Sequence, residues 1–347
     1  MKTKFCIIVI VFCLWNINTQ AQQNPKPLAA ISALNQLLTQ KQVLGIGEIH
    51  ASNELYQFLE KWVQTPGFYQ QVNDVLIEFG NYHYQNILDQ YIAGKSVPFE
   101  QLKQVWQNTT ESPTAVWDAP VYFQFLQTIR KLNQKIPLAH RIRVIAADNP
   151  IEWKKVHSRK DYRKYLGRDA HFARLIKTEV IQKNRKAVLI IGGIHITKKS
   201  SPFPGRKKPR KSITERINQV YPGKIMVVQA LGSFGRSNKI ALPKMKNWPN
   251  ESLIYVKNNW VGQLPVATFV RRQTKAQTPK LTRADQTDAY LFLRPFDQLT
   301  YSKADKAIFQ NKQYWQELNR RCRARYGCAL VPESQNSSRP IPEKWKR

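Results

Sequence analysis

A chain of 347 residues with 42% hydrophobic, 11% aromatic and 22% charged residues matches the composition of soluble globular domains and is long enough for a sizeable core. This excludes a disulfide mini-protein, collagen, a coiled coil and wholesale disorder. The 55 Lys and Arg against 23 Asp and Glu leave a formal charge of +32, a surface that attracts anions.

Lys2 and Lys4 precede an apolar run from Phe5 to Trp15, and a polar stretch then ends at Thr19-Gln20-Ala21. This is the pattern of a signal peptide over residues 1–21, with an apolar run too short to span a bilayer. The sequence therefore predicts an exported protein, periplasmic or secreted, with no stable membrane span after cleavage. From about residue 41 to 230, short apolar runs alternate with helical periodicities. That pattern predicts an α/β fold, a mainly parallel central sheet flanked by helices. Strands are expected over 42–49, 75–79, 142–147, 187–191 and 224–229. Leu55, Phe58, Leu59 and Trp62 form a helical stripe after Asn53, read as its N-cap. Tyr84, Ile87, Leu88 and Tyr91 form a second stripe, which Gly94 ends.

Residues 81–140, after the second strand, read as a helical insertion of three helices, the last carrying Val121, Phe125, Ile129 and Leu132. It leaves the sheet directly after Glu78 and is placed to cap whatever binds there. A fourth helix is expected from Arg168 to about Gln182. Residues 266–270 and 289–293 are further candidate strands. The main domain is expected over 22–300, followed by a basic extension over 301–347 whose end, 331–347, reads as a loose tail. Beyond the signal only Cys322 and Cys328 remain, and their spacing predicts a local disulfide.

Polar residues interrupt the apolar runs at their ends. Glu48 and His50 close the first strand, Glu78 the second and Asp148 the third, and His195 follows the fourth. Carboxyl ends of parallel strands share one edge, and open α/β sheets bind ligands in the crevice outside it. Glu48 and His50, two apart, face the same way in an extended segment. Gly47-Glu48-Ile49-His50 and Gly192-Gly193-Ile194-His195 repeat a Gly-x-x-His ending. Glu78 ends a buried run, where a carboxylate is costly without a cation, metal or donor. The plainer alternatives are a hydrogen-bonded sheet-edge role for either histidine, a turn-forming role for Asp148 before Asn149-Pro150, and capping of the fourth helix by Asp169. Arg168 is suited to binding an anionic substrate. Lys198 and Lys199 open a basic loop running to Lys211 that either steers an anionic ligand or is simply solvated. His83, His140, His157 and His171 have no such setting. No nucleic-acid-binding pattern is present, so no nucleic-acid partner is expected.

The succession Gly47-Glu48-Ile49-His50, Leu76-Ile77-Glu78, Arg168-Asp169 and Leu189-Ile190-Ile191-Gly192-Gly193-Ile194-His195, with Asp288-Ala289-Tyr290-Leu291-Phe292-Leu293 last, resembles the superfamily of erythromycin esterase-like, ChaN-like haem-binding and TIKI/TraB proteins over residues 40–296. The resemblance implies active-centre positions for Glu48, His50, Glu78 and His195. It further implies either an exported esterase- or peptidase-like hydrolase of ester or amide bonds, or a protein binding haem or another anionic ligand, with Arg206 to Lys211 meeting the haem propionates. A ChaN-type haem-ligand tyrosine has no assignable position. As a hydrolase, the chain is expected to act on an anionic small molecule or peptide. His50 would serve as general base oriented by Glu78 or Glu48, and His195 as donor to the oxyanion or leaving group. With a divalent metal, His50, Glu78 and His195 would form a two-His, one-carboxylate set leaving a position for water.

Overall fold

The computed structural model describes residues 24–200, 210–266, 281–306, 310–331 and 340–345. Of the sequence expectations, the signal at 1–21, Arg206 to Lys208 of the basic loop and 267–270 of one candidate strand lie outside these residues. Among the described residues no helix is long and apolar enough to cross a membrane.

Eight strands form one sheet: β1 (Leu28–Ala29), β2 (Val43–Glu48), β3 (Asp74–Asn81), β4 (Arg143–Asp148), β5 (Ala187–Gly192), β6 (Ile225–Ala230), β7 (Ser252–Tyr255) and β8 (Ala289–Phe292). Their spatial order is β1-β7-β8-β6-β2-β5-β3-β4. From β8 to β4 every neighbouring pair is parallel, while β7 runs antiparallel to β8 and β1 antiparallel to β7. The five expected strands and the candidate at 289–293 are all present. The short β1 and β7 have no counterpart in the sequence reading, because two to four residues are too few to show a period.

Both faces of the parallel strands are covered, as continuous apolar runs require. On one face Val75, Ile77 and Phe79 of β3 pack with Tyr56, Trp117, Tyr122 and Phe125. On the other, Leu76 packs with Phe172, Ile176 and Ile213. Side chains alternate along a strand, so Glu78 continues the side of Leu76, toward the helix that begins at Arg168. The β3–β4 register shifts between Ile77 and Asn81, with Ile77 opposite Ala146 and Asn81 opposite Asp148. Such a bulge re-aims side chains at the end of a strand.

The helix Asn53–Val63 is capped by Ser52, whose hydroxyl accepts from the Leu55 amide. Asn53, the expected cap, is instead the first helical residue and bonds to Thr300. The insertion contains the helices Gln85–Ile92, Phe99–Leu102, Gln104–Gln107 and Pro120–Lys135. The helix from Arg168 is α-helical to Leu175 and continues as a π-helix over Ile176–Ile181.

The C-terminal extension differs from expectation. It folds back as the helix Lys312–Tyr326, and the tail returns at Ile341–Pro342 to pair with Leu330–Val331. Arg321 Nη1 donates to the Gln107 carbonyl at 2.6 Å and Arg325 Nη2 to Glu111 at 2.6 Å, fixing this helix to the insertion. The expected disulfide is not formed: Cys322 and Cys328 are both free thiols. Cys322 faces inward from the last helical turn against Leu318 and Leu330, and Cys328 lies just past the left-handed Gly327 cap. Burial and the neighbouring Cys328 push the Cys322 thiol up to about 12.

Candidate active site

β2 delivers Glu48 to the carboxyl edge, and His50 follows two residues later. Glu48 Oε1 accepts the Tyr122 hydroxyl at 2.9 Å and lies 3.2 Å from His50 Nδ1. The Tyr122 oxygen in turn accepts the Ala51 amide at 2.8 Å. Burial and the Glu48 charge raise the Tyr122 phenol well above its ordinary value, so it stays a proton donor. The His50 ring, with its side chain 40% exposed, meets the Trp117 ring edge-on at 4.9 Å between centroids. Glu48 Oε2 is buried and has no hydrogen-bond partner among the described residues.

Glu78 is the hub. Its Oε1 accepts Arg168 Nη2 at 2.7 Å and its Oε2 accepts the Gly192 amide at 2.7 Å, and His195 Nε2 lies 3.7 Å from Oε1. Burial acts to raise its pKa, but Arg168, His195, His50 and the Gly192 N–H together hold it below the usual carboxylate range. Glu78 is therefore an anion at neutral pH. A side chain at position 192 would begin 3.2 Å from His50 Cε1 and 3.4 Å from Glu78 Oε2, so glycine there lets the backbone reach the carboxylate.

His195 Nδ1 lies 2.6 Å from Asp169 Oδ1, and Arg210 Nε donates to Asp169 Oδ2 at 2.6 Å. Reading Asp169 as the acceptor of the Nδ1 proton assigns the ring orientation and turns Nε2 toward Glu78. Burial raises the Asp169 pKa, and His195 and Arg210 outweigh it, so Asp169 is held low. Two imidazoles, each held through Nδ1 by a buried carboxylate, thus meet at one buried anion. The β2–β5 register, with Glu48 opposite Gly192, brings them together.

Glu48, His50, Glu78 and His195 converge as expected; the other expected site residues do not. Arg168 is not free to bind a substrate: it is buried and bound to Glu78, to Glu111 at 3.1 Å and to Asp148 at 2.7 Å. Asp148 is fully buried, accepts Arg168 Nε and both the amide and hydroxyl of Thr110, and so serves as a counter-charge. Lys198 and Lys199 pair with Asp288 at 2.7 Å and Asp285 at 2.5 Å, tying their loop to the segment before β8 instead of facing the crevice.

The residues whose ligand atoms converge, all within 4.8 Å of one another, are Glu48, His50 and Glu78. His195, expected in a set with His50 and Glu78, is not among them; Glu48 takes its place. The buried, unpartnered Glu48 Oε2 and the donor set of one imidazole and two carboxylates fit a divalent cation.

Four contributors escaped the sequence reading. Asp169 reads there as a helix cap, and Arg210 as one of many loop cations. Tyr122 lies in an expected helix but off its stripe of Val121, Phe125, Ile129 and Leu132, and its hydroxyl carries no signal there. Gln229 closes an apolar run as Glu78 does, and that signal was available. Its Nε2 donates to the Gly193 carbonyl at 2.8 Å. A Cβ at Gly47 or Gly193 would lie 2.0 Å from its Oε1, so part of the Gly-x-x-His repeat serves to seat this carboxamide.

A cavity of about 490 Å³ opens beside His195, with Ile194, Gln229, Leu231, Arg283 and Tyr290 among its walls.

No protein-family model and no curated protein matches the chain. Solved structures do. A Bacillus cereus protein shares 11% identity over 81% of this chain and 97% of its own, with a TM-score of 0.52. A succinoglycan biosynthesis protein shares 14% over 78% and 94%, with a TM-score of 0.50. An erythromycin esterase in its open conformation aligns at 10% identity over 76% and 92%, with a TM-score of 0.46. The α/β architecture that the alternating apolar runs predict is the one found. At these identities the likeness is one of fold.

Proposed function

We propose that the chain is an exported hydrolase of ester or amide bonds in which His50 takes a proton from water. The observation that carries this reading is the meeting of two carboxylate-held imidazoles, Glu48–His50 and Asp169–His195, at the ionised Glu78. His50 has Nδ1 on Glu48 and a part-exposed ring through which a proton can leave to solvent. Glu78 and Glu48 stabilise the charge that forms on it. His195, with Nδ1 on Asp169 and Nε2 facing Glu78 and the cavity, is placed to donate a proton to a developing oxyanion or leaving group. When bound by Glu48, His50 and Glu78, a divalent metal would supply a Lewis acid and an acidified water.

Assays of the wild type on ester, amide and peptide substrates, together with metal analysis, test the reading. His50→Ala is expected to lower turnover about 10²–10⁴-fold, and undiminished activity in that variant would remove the mechanism. One bound metal per chain, lost in Glu48→Gln, would add the metal to it. Export rests on residues 1–21 and is checked by recovering a chain lacking them from periplasm or medium; a cytoplasmic, uncleaved chain would overturn it. Of the loop cations expected to meet haem propionates, Arg210 is committed to Asp169.

A further inference from the structure

The cavity beside His195 contains a guanidinium without an anionic partner among the described residues. Arg283 lines the cavity. Its Nη2 donates to the Phe234 carbonyl at 3.2 Å, its Cζ lies 5.5 Å from the centre of the Phe234 ring, and Tyr290 lines the same cavity. Its Nε is buried and has no hydrogen-bond partner among the described residues. The acids close to it in sequence are already taken: Asp285 pairs with Lys199 and Asp288 with Lys198. Asp169, the acidic residue on the cavity wall, is held by His195 and Arg210. Lys198 and Lys199 therefore neutralise the carboxylates close to Arg283 in sequence, which leaves its charge for a ligand.

A part-exposed guanidinium with no anionic partner among the described residues is open to a ligand, and its planar fork matches a carboxylate. The rest of the wall is largely apolar, with Ile194, Leu231 and Val266 on it.

We propose that this cavity binds a carboxylate-bearing substrate, with the carboxylate on Arg283 and Tyr290 and the apolar part against Ile194, Leu231 and Val266. The site of attack in such a substrate rests on the hydrolase reading above; the binding does not.

The test uses 4-nitrophenyl monoesters of linear dicarboxylic acids, from succinate to sebacate, each paired with the neutral alkanoate ester of equal length. In Arg283→Gln the ratio of kcat/KM for the acidic over the neutral ester is expected to fall about tenfold or more at the preferred length, and Arg283→Lys to recover part of it. An unchanged ratio in Arg283→Gln overturns the proposal. Binding is measured separately, by calorimetry with free sebacate on wild type and on His195→Ala. Both are expected to bind it and Arg283→Gln to lose it; no binding to the wild type overturns the proposal even if the variant fails to fold. Sebacate binding without turnover of any ester would sink the hydrolase reading and leave this one standing.

Discussion

Asp169→Asn is expected to cost about 10²–10⁴-fold in kcat/KM while leaving the fold in place. The amide has the shape of the carboxylate but neither its charge nor its two accepting oxygens. Asp169 Oδ1 lies 2.6 Å from His195 Nδ1 and Oδ2 accepts Arg210 Nε at 2.6 Å. Asparagine can keep one of these bonds, and if it turns its NH₂ to the ring it selects the wrong tautomer. The ring then loses one of the two carboxylates between which it sits, and its Nε2 is no longer aimed at the reacting group. Stability should change little, because Arg210, with its side chain 31% exposed, can be solvated once released. Steady-state kinetics beside thermal melting separate the two effects. Activity within about threefold of wild type, well short of the usual general-acid contribution, would exclude His195 from the chemistry.

The parts of this site that were legible in the sequence are those fixed by strand periodicity. Glu48, Glu78 and Asp148 were visible because a polar residue closing a run of Val, Ile and Leu is conspicuous, and parallel strands place such ends on one edge. His50 and His195 lie just past such ends and were found with them. What those residues touch was not legible. Asp148 and Glu78 look alike in sequence, yet one lies behind Arg168 as a buried counter-charge and the other in front of it. Burial dominates at Asp148 and raises its pKa, whereas the cations and the Gly192 amide prevail at Glu78. The two bonds from Thr110, which comes from the insertion, act against that rise without overcoming it. By its place at the start of a helix Arg168 is expected to reach the crevice; three carboxylates within 3.1 Å hold it back. The C-terminal helix was read only as a basic extension, since charge density says nothing about which acids the arginines meet.

Those acids matter. Arg325 binds Glu111, Glu111 binds Arg168 Nη1, and Arg168 Nη2 binds Glu78. Residues more than 200 positions apart are thus joined through four alternating charges. The carboxyl edge of the sheet is set both by the strands and by a helix that closes over the insertion from the far end of the chain.

The centre of that chain of charges is its most sensitive point. Arg168→Met, close in volume and neutral, is expected to destabilise the protein by about 3–5 kcal/mol, because it leaves Glu78 and Asp148 buried without their cation. For a domain of this size the loss corresponds to a fall in melting temperature of roughly 10 °C. Its pH dependence distinguishes it from a simple packing defect. In the wild type, Glu78 has a depressed pKa, so its contribution is present above the unfolded carboxylate value and is lost as pH falls through the lower folded value. Without Arg168, burial is opposed only by the histidines and the Gly192 amide at Glu78, and by Thr110 at Asp148. Both pKa values move up, and a carboxyl whose folded pKa exceeds its unfolded one loses stability as pH rises between the two. The deficit of Arg168→Met relative to wild type should therefore widen from about pH 4 toward neutrality. Melting curves of both proteins across that range measure it, and a deficit independent of pH would show that the carboxylates do not depend on Arg168 for their charge.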